Sequence, residues 1–551
     1  MTEVGVWLIG FALIYTFILI GVGTISRKRA HKTGYFVGGR TFNKWMVAFC
    51  ITGLFSGSTF ISVLELSYLT GISAVWYGVA ETIQVLIIAY LIIGPFRKKL
   101  VVTVSGMIGE KYGRKALGIG GAITAFAFPM WSVATSIGFA SAIHVFTGIS
   151  LTASIAFTAF LLYFYLRAGG MWSIATTQTL NFFVFILMFG VGIYAVLLNP
   201  GLDGLTAFAV EKPAMFSLNA VGNQVIVAWM GTFLVNVILA QAAFQMALSC
   251  KTPEEGQKGL KLAALFGVPF ILLAIVFGVA AAIVVPGYSQ GLVALPHYLT
   301  EVLPAPLVGL FFLGVWACAL SWGAPCQFSG ATSLGKDVGA ALNPKATEAQ
   351  LVSYTKKALL LLTFLMIAFG VLRTEQSAWW NILAWTLRNS STFAPVVAVL
   401  FWKPATRTSV VYSMVVGFSA GLGWYALSGW SVSEFHLNIH PVWVGMSANL
   451  MTIMAITFIQ KGNQMIAVPR AVLTRSGYGI LAGFLTLLML LAIRFQEIYV
   501  NGLLGLSLFL LLVTVWIGVM KVFPEIRSLA EALFRTDPLE VEYAIESGIK
   551  E

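Results

Sequence analysis

The sequence has 551 residues, of which 59% are hydrophobic and 10% charged, with a mean hydropathy of +0.89 and a net charge of +12. Ordinary soluble domains carry about a quarter charged residues, which excludes water as the solvent for most of this surface. The positive charge raises nucleic acid as a partner, but its placement along the chain reads as membrane sidedness instead.

Hydrocarbon offers unpaired backbone groups no partner, so a spanning segment is a helix of roughly 20 apolar residues or a strand of a closed barrel. The apolar runs here are continuous rather than alternating, which selects helices and an all-α polytopic membrane protein. In chain order they cover 4–26, 43–70, 74–96, 117–147, 150–166, 173–197, 222–249, 262–286, 305–335, 358–372, 378–402, 408–429, 441–460, 478–493 and 498–520, about 15 transmembrane helices. Placing the N-terminus outside and the C-terminus inside puts 29 of the 33 Lys and Arg residues in or beside cytoplasmic loops. Cytoplasmic loops are the ones enriched in Lys and Arg, so this orientation is expected, in the cytoplasmic (inner) membrane.

Thr2 and Glu3 precede the first run, and Arg27, Lys28 and Arg29 follow it. A secretory signal has the opposite charge order, so segment 1–42 is expected to be a retained anchor helix with its loop. At the other end, 521–551 places Phe523, Ile526, Leu529, Ala530, Leu533 and Phe534 at helical spacing. An amphipathic helix against the inner lipid surface is expected there. Cys50, Cys250, Cys318 and Cys326 lack metal-ligand or paired spacing and read as free thiols in apolar packing. His31, His144, His297, His436 and His440 stand near helix ends or in loops, outside any metal motif. With no clustered nucleophile, base or metal set, neither an enzyme nor a cofactor or metal is expected, and no catalytic residue is assigned.

Glu65, Glu81 and Arg388 are the strongly charged residues placed well inside predicted spans. Such a charge costs roughly 2.5–3.5 kcal/mol on insertion scales, so each is expected to face a cavity or a partner. Gln178, Asn181, Gln241, Gln245, Asn389 and Asn449 are cheaper to bury and serve equally as glue between helices or as ligand contacts.

Local motifs carry a resemblance. They are Tyr-Phe-Val-Gly-Gly-Arg at 35–40, Ser-Gly-Ser-Thr at 56–59, and Tyr68-Leu-Thr-Gly71. They continue with Val-Val-Thr-Val-Ser-Gly-Met-Ile-Gly-Glu-Lys-Tyr-Gly-Arg at 101–114, then Arg167-Ala-Gly169-Gly170-Met-Trp followed by Thr177-Gln178-Thr-Leu-Asn181. In this order and on these helices the chain resembles the sodium/solute symporter family over roughly 1–460, with two helices beyond that family's thirteen.

The resemblance implies two inverted five-helix repeats, here 43–197 and 198–402, followed by additional transmembrane helices over 403–520. Moving five helices along reverses the direction of crossing, so the second helix pairs with the seventh. Each has a mid-span weak point: Thr52-Gly53 through Ser56, Gly57, Ser58 and Thr59 in one, and Trp229, Gly231 and Thr232 with Asn236 one turn on in the other. Interrupted helices in corresponding positions point to a midplane site, although small residues also permit close packing. Ser56, Gly57, Ser58, Thr59, Trp229, Gly231, Thr232 and Asn236, together with Glu81 and Arg388, are the expected substrate contacts.

The resemblance also implies a sodium site built from second-helix carbonyls and ninth-helix hydroxyls. Counting back sixteen residues from Asp337, which matches the acidic residue closing that motif, places the ninth-helix positions at Cys318, Ser321 and Trp322; the second-helix positions fall at Thr52 and Phe55. Only Ser321 keeps a hydroxyl there, and Gln178 stands where the sixth-helix motif usually has aspartate. Sodium wants oxygen ligands, so the site is expected to be degraded.

The expected function is alternating-access transport of a small solute by cation-coupled symport, with sodium or a proton as the coupling ion, a proton being carried by Glu65 or Glu81. An uncoupled facilitator, or a solute sensor acting through a separate signalling partner, remains as an alternative. A fixed Arg388 would favour a carboxylate-bearing solute such as an amino acid or organic acid. Glu65 and Arg388, of opposite sign on the second and eleventh helices, are expected to form an outer gate when the vestibule closes. The expected partners are the solute and membrane lipid, not nucleic acid.

Overall fold

The computed structural model describes residues 2–33, 35–100, 102–167, 170–374, 376–466 and 475–522. The amphipathic tail expected over 521–551 lies almost wholly outside the described residues. Each of the fifteen apolar runs is occupied by helix. By length and apolarity, however, nine helices among the described residues are able to cross a membrane, or ten when the bent pair Asn223–Asn236 and Gln241–Ala247 is taken as one span.

The difference has physical causes. The run Lys44–Lys98 passes that test as a single 55-residue stretch. It is nevertheless broken at Gly71, whose φ of 67° ends the helix Ile61–Thr70 in a conformation that glycine adopts freely. Ser377–Phe401 carries too many polar residues to qualify, and Leu151–Leu166, Gly477–Ile493 and Leu504–Met520 are apolar but short.

Many helix starts at the basic loops are fixed by side-chain caps. Asn43, Thr103, Thr252, Thr347 and Thr406 each accept a hydrogen bond from a backbone N–H in the first turn, where the helix has no partner of its own to offer. Among the described residues, three α-helices of nine or more residues lie where loops were expected: Val104–Tyr112, Gly201–Glu211 and Gly291–Val302.

The long helices Arg114–Thr147 and Ala305–Thr332 pack together at the centre, and Gly170–Leu198 and Ser377–Phe401 flank them. Loops then sort into two ends. At one, Arg97 Nε donates to Cys250 O at 3.1 Å, Arg114 Nη2 to Ala341 O at 2.9 Å and Lys111 Nζ to Ala398 O at 3.1 Å. These connect loops expected on the cytoplasmic side. At the other end Trp76 Nε1 donates to Leu218 O at 2.8 Å, Tyr298 OH to Asn199 O at 2.8 Å and Gln224 Nε2 to Asn438 O at 2.8 Å.

Candidate transport site

The second helical segment is Lys44–Leu54 followed by a widened π-helical turn, Phe55–Phe60, and the helix Ile61–Thr70. All six residues of the turn are buried. Such turns occur frequently at functional sites because they leave backbone groups out of the regular ladder. The deformation falls at the predicted weak point, as a wide turn rather than an unwound stretch. Its approach to the ninth segment depends on glycine: a Cβ on Gly57 would stand 2.3 Å from Trp322 Cβ and 2.9 Å from Cys318 O. Thr52 Oγ1 donates to Ala48 O at 2.8 Å and Ser56 Oγ to Gly53 O at 3.1 Å, so both hydroxyls bond their own helix. Ser58 Oγ and Tyr77 OH share a hydrogen bond of 3.2 Å, and Thr59 Oγ1 is buried without a partner.

The seventh segment corrects the sequence reading. Asn223–Asn236 runs unbroken through Trp229, Gly231 and Thr232, and the break falls at 237–240, where Gln241–Ala247 departs at 46°. Gly231 is a packing glycine, since a Cβ there would lie 2.2 Å from the Trp443 indole. The break is held by Gln241, whose amide accepts from Val104 N at 3.0 Å and donates to Ser333 Oγ at 2.8 Å and Ser329 O at 3.2 Å.

Between these deformed segments lies a buried aromatic cluster. The Tyr77 ring meets Trp229 at 5.5 Å, Phe233 at 5.4 Å and Trp385 at 5.7 Å. Trp131 lies 6.4 Å from Trp385 and carries the Arg388 guanidinium 4.7 Å from its ring. Arg388 donates to Asn236 Oδ1, while its Nε and the indole N–H groups of Trp131 and Trp229 are buried with no acceptor. Glu81 is completely buried, and neither of its carboxylate oxygens has a partner. It lies one helical turn from Tyr77, as Arg388 lies one turn from Trp385. Thr232 is joined by Asn389, whose Nδ2 donates to its carbonyl at 3.3 Å.

The structure does not join Glu65 to Arg388. Ser377 Oγ donates to Glu65 Oε2 at 2.7 Å and Ala378 N at 3.4 Å, so this carboxylate caps the N-terminus of Ser377–Phe401. Arg388 is eleven residues further along that helix, roughly 16 Å at about 1.5 Å per residue. Gly291–Val302 covers this end, with the Cβ position of Gly291 2.8 Å from Glu65 O.

At the predicted cation positions, the structure brings Gly53, Gln178 and Ser321 together. Gln178 Nε2 donates to Ser321 O, and Asn181 Nδ2 donates to Ser321 Oγ at 2.6 Å and to Ala317 O at 3.3 Å. Tyr15 OH in turn donates to Asn181 Oδ1 at 2.6 Å. Sequence reasoning did not find Tyr15, because an aromatic on a flanking helix has no mark that separates it from a lipid-facing one. Tyr77, Trp131, Phe233 and Trp385 were passed over for the same reason. Trp131 carried one usable signal, a large amphipathic ring within a helix rich in small residues.

Membrane-spanning helices, two of them deformed around a shared polar and aromatic centre, define a solute transporter. The sequence profile of the Sodium:solute symporter family matches residues 35–417, and the chain belongs to that family. It is 24% identical over 456 residues to the sodium/glucose cotransporter of Vibrio parahaemolyticus, covering 74% of this chain and 83% of that one. The sodium/proline symporter of Staphylococcus aureus (strain Newman) is 24% identical over 468 residues, covering 77% and 86%. The substrate-bound outward-open structure of a sodium-coupled sialic acid symporter matches with a TM-score of 0.65 at 17% identity, over 82% of this chain and 98% of that one. That likeness establishes an inverted-repeat transporter fold.

Sodium is the ion the family implies, and the positions expected to hold it carry Cys318, Ser321 and Trp322 beside Gln178. The Ser321 hydroxyl and carbonyl are already acceptors, Cys318 offers a soft sulfur, and the Trp322 indole has only a donor N–H.

Proposed function

We propose that this protein carries an amino acid or a small organic acid across the cytoplasmic membrane by alternating access. In this reading the chain crosses fifteen times with its N-terminus outside, and 43–197 and 198–402 are the inverted repeats. The observation that carries it is Arg388, a guanidinium buried at the meeting of the fourth, seventh and eleventh segments with its Nε unsatisfied. A buried cation without a carboxylate is costly, and a carboxylate brought by the solute relieves that cost. Glu81 supplies the complementary acceptor for an ammonium group, which favours amino acids within the class. Ser56, Gly57, Ser58, Thr59, Trp229, Thr232 and Asn236 complete the proposed lining.

Thermal stabilisation of the purified protein across a panel of amino acids, organic acids and neutral sugars tests this. Carboxylate-bearing solutes should raise the melting temperature, and Arg388→Gln should remove the effect. Stabilisation by sugars alone, indifferent to Arg388→Gln, would overturn the reading. A second reading, uncoupled facilitation, is supported by the hydrogen bonds that Gln178 and Asn181 donate to Ser321 at the expected cation position. Counterflow in proteoliposomes that proceeds without concentrative uptake under any imposed ion gradient would select it.

A further inference from the structure

We propose that the side-chain amide of Gln178 is a built-in substitute for the family's coupling cation, tying the sixth segment to the second and ninth at the point where an ion would otherwise join them. This rests on the reading that sodium is not held at its usual position.

Three elements converge on the Gln178 nitrogen. Gln178 itself is 2% exposed, and its Nε2 donates to Ser321 O. A Cβ on Gly53 would stand 2.5 Å from that nitrogen and 2.6 Å from that carbonyl, so the second segment seals the third side. The three elements close on the amide nitrogen with no side chain at Gly53 between them.

The hydrogen bonds agree with this close packing. A bound cation is satisfied by carbonyl and hydroxyl lone pairs, and several of those nearby already receive N–H or O–H donors. Ser321 O takes Gln178, Ser321 Oγ and Ala317 O take Asn181, Gly53 O takes Ser56, and Ala48 O takes Thr52. Asn181 is held in orientation by Tyr15 on the first helix. The amide direction is forced, because reversing Gln178 would set its oxygen against Ser321 O. The amide oxygen consequently lies buried without a partner.

An N–H group carries partial positive charge and meets the same lone pairs without having to be released. Closure of the second segment on the ninth is therefore independent of sodium at this position, and Gln178 acts as a positioning residue.

The test uses the purified full-length protein, melted in sodium chloride and in choline chloride. Wild type should melt alike in both. Gln178→Leu, which keeps the bulk but cannot donate, should lower the midpoint by at least about 3 °C in both salts. Gln178→Asp empties part of the volume and turns an anionic oxygen toward Ser321 O, so it should gain a saturable stabilisation by sodium of similar size. Should Gln178→Asp fail to fold, Gln178→Ser takes its place, since it too empties the volume and leaves an oxygen. If the Gln178 variants melt within about 1 °C of wild type in both salts, the substitution idea falls while the reading of a vacated sodium position stands. If wild type is itself stabilised by sodium and Ser321→Ala abolishes that, the underlying reading falls as well.

Discussion

The carboxylate of Glu65 accepts a hydrogen bond of 2.7 Å from Ser377 Oγ, which ties the second segment to the first turn of the eleventh. A hydrogen bond to a charged group contributes about 1.5–3 kcal/mol. Glu65→Ala and Ser377→Ala should therefore each lower thermal stability, and the double variant should lose less than the sum, with a coupling of at least about 1 kcal/mol. Glu65→Gln and Arg388→Gln share no partner and should add within about 0.5 kcal/mol. Coupling in the second pair and additivity in the first would restore the gate expected between these two vestibule-lining helices.

Glycine at 57 permits the second and ninth segments to touch, and this has a measurable cost when a methyl group is added. Gly57→Ala places a carbon against Trp322 Cβ and Cys318 O, and backbone and Cβ atoms yield little. Overpacking of this kind costs about 1–3 kcal/mol. Gly10→Ala, with nothing within 4 Å, is the control and should be neutral or slightly stabilising. Equal melting temperatures for the two variants would remove the close approach from the account.

The legibility of these features in sequence was uneven, and for physical reasons. The bulge at Ser56 and Gly57 is visible because small and polar residues interrupt a long apolar run. Gly231 looked the same, yet it makes room for Trp443, and a sequence cannot separate a glycine that packs from one that marks a break. The true break, near Gln241, is held by hydrogen bonds to residues about 90 and 137 positions away, which no local pattern records. The helices Gly201–Glu211 and Gly291–Val302 are too short to show as spans and lie at the end opposite the Arg97, Lys111 and Arg114 contacts. Charge type was legible for Glu65, but its partner is a helix N-terminus, which carries no side-chain charge to notice.

The gathering of basic loops at one end makes sidedness testable on two exposed positions. Val210 is 84% exposed on one end and Leu342 79% exposed on the other, while the four native cysteines are buried. In intact cells a membrane-impermeant maleimide should label Val210→Cys and should reach Leu342→Cys only after permeabilisation. The reverse pattern would invert the topology and move the basic loops outside.

Glu81 separates the two roles that a buried carboxylate without partners is able to play. Tyr77, one turn away, touches the Trp385 ring that neighbours Arg388, so Glu81 and Arg388 each lie one helical turn from a ring of the same buried aromatic cluster. If Glu81 receives the ammonium group of an amino acid, Glu81→Gln removes a charged hydrogen bond of about 1.5–3 kcal/mol, a rise in half-saturation of roughly 10- to 150-fold. That rise should appear for amino acids and be absent for carboxylates lacking the amine, at every pH. If instead Glu81 carries a coupling proton, Glu81→Gln should leave half-saturation near its original value and abolish uptake driven by an imposed pH gradient, with counterflow preserved, because a permanently neutral side chain no longer links binding to proton release. Uptake, counterflow and half-saturation measured in the same proteoliposomes decide between the two. Full retention of all three in Glu81→Gln would exclude both roles and leave this carboxylate to packing alone.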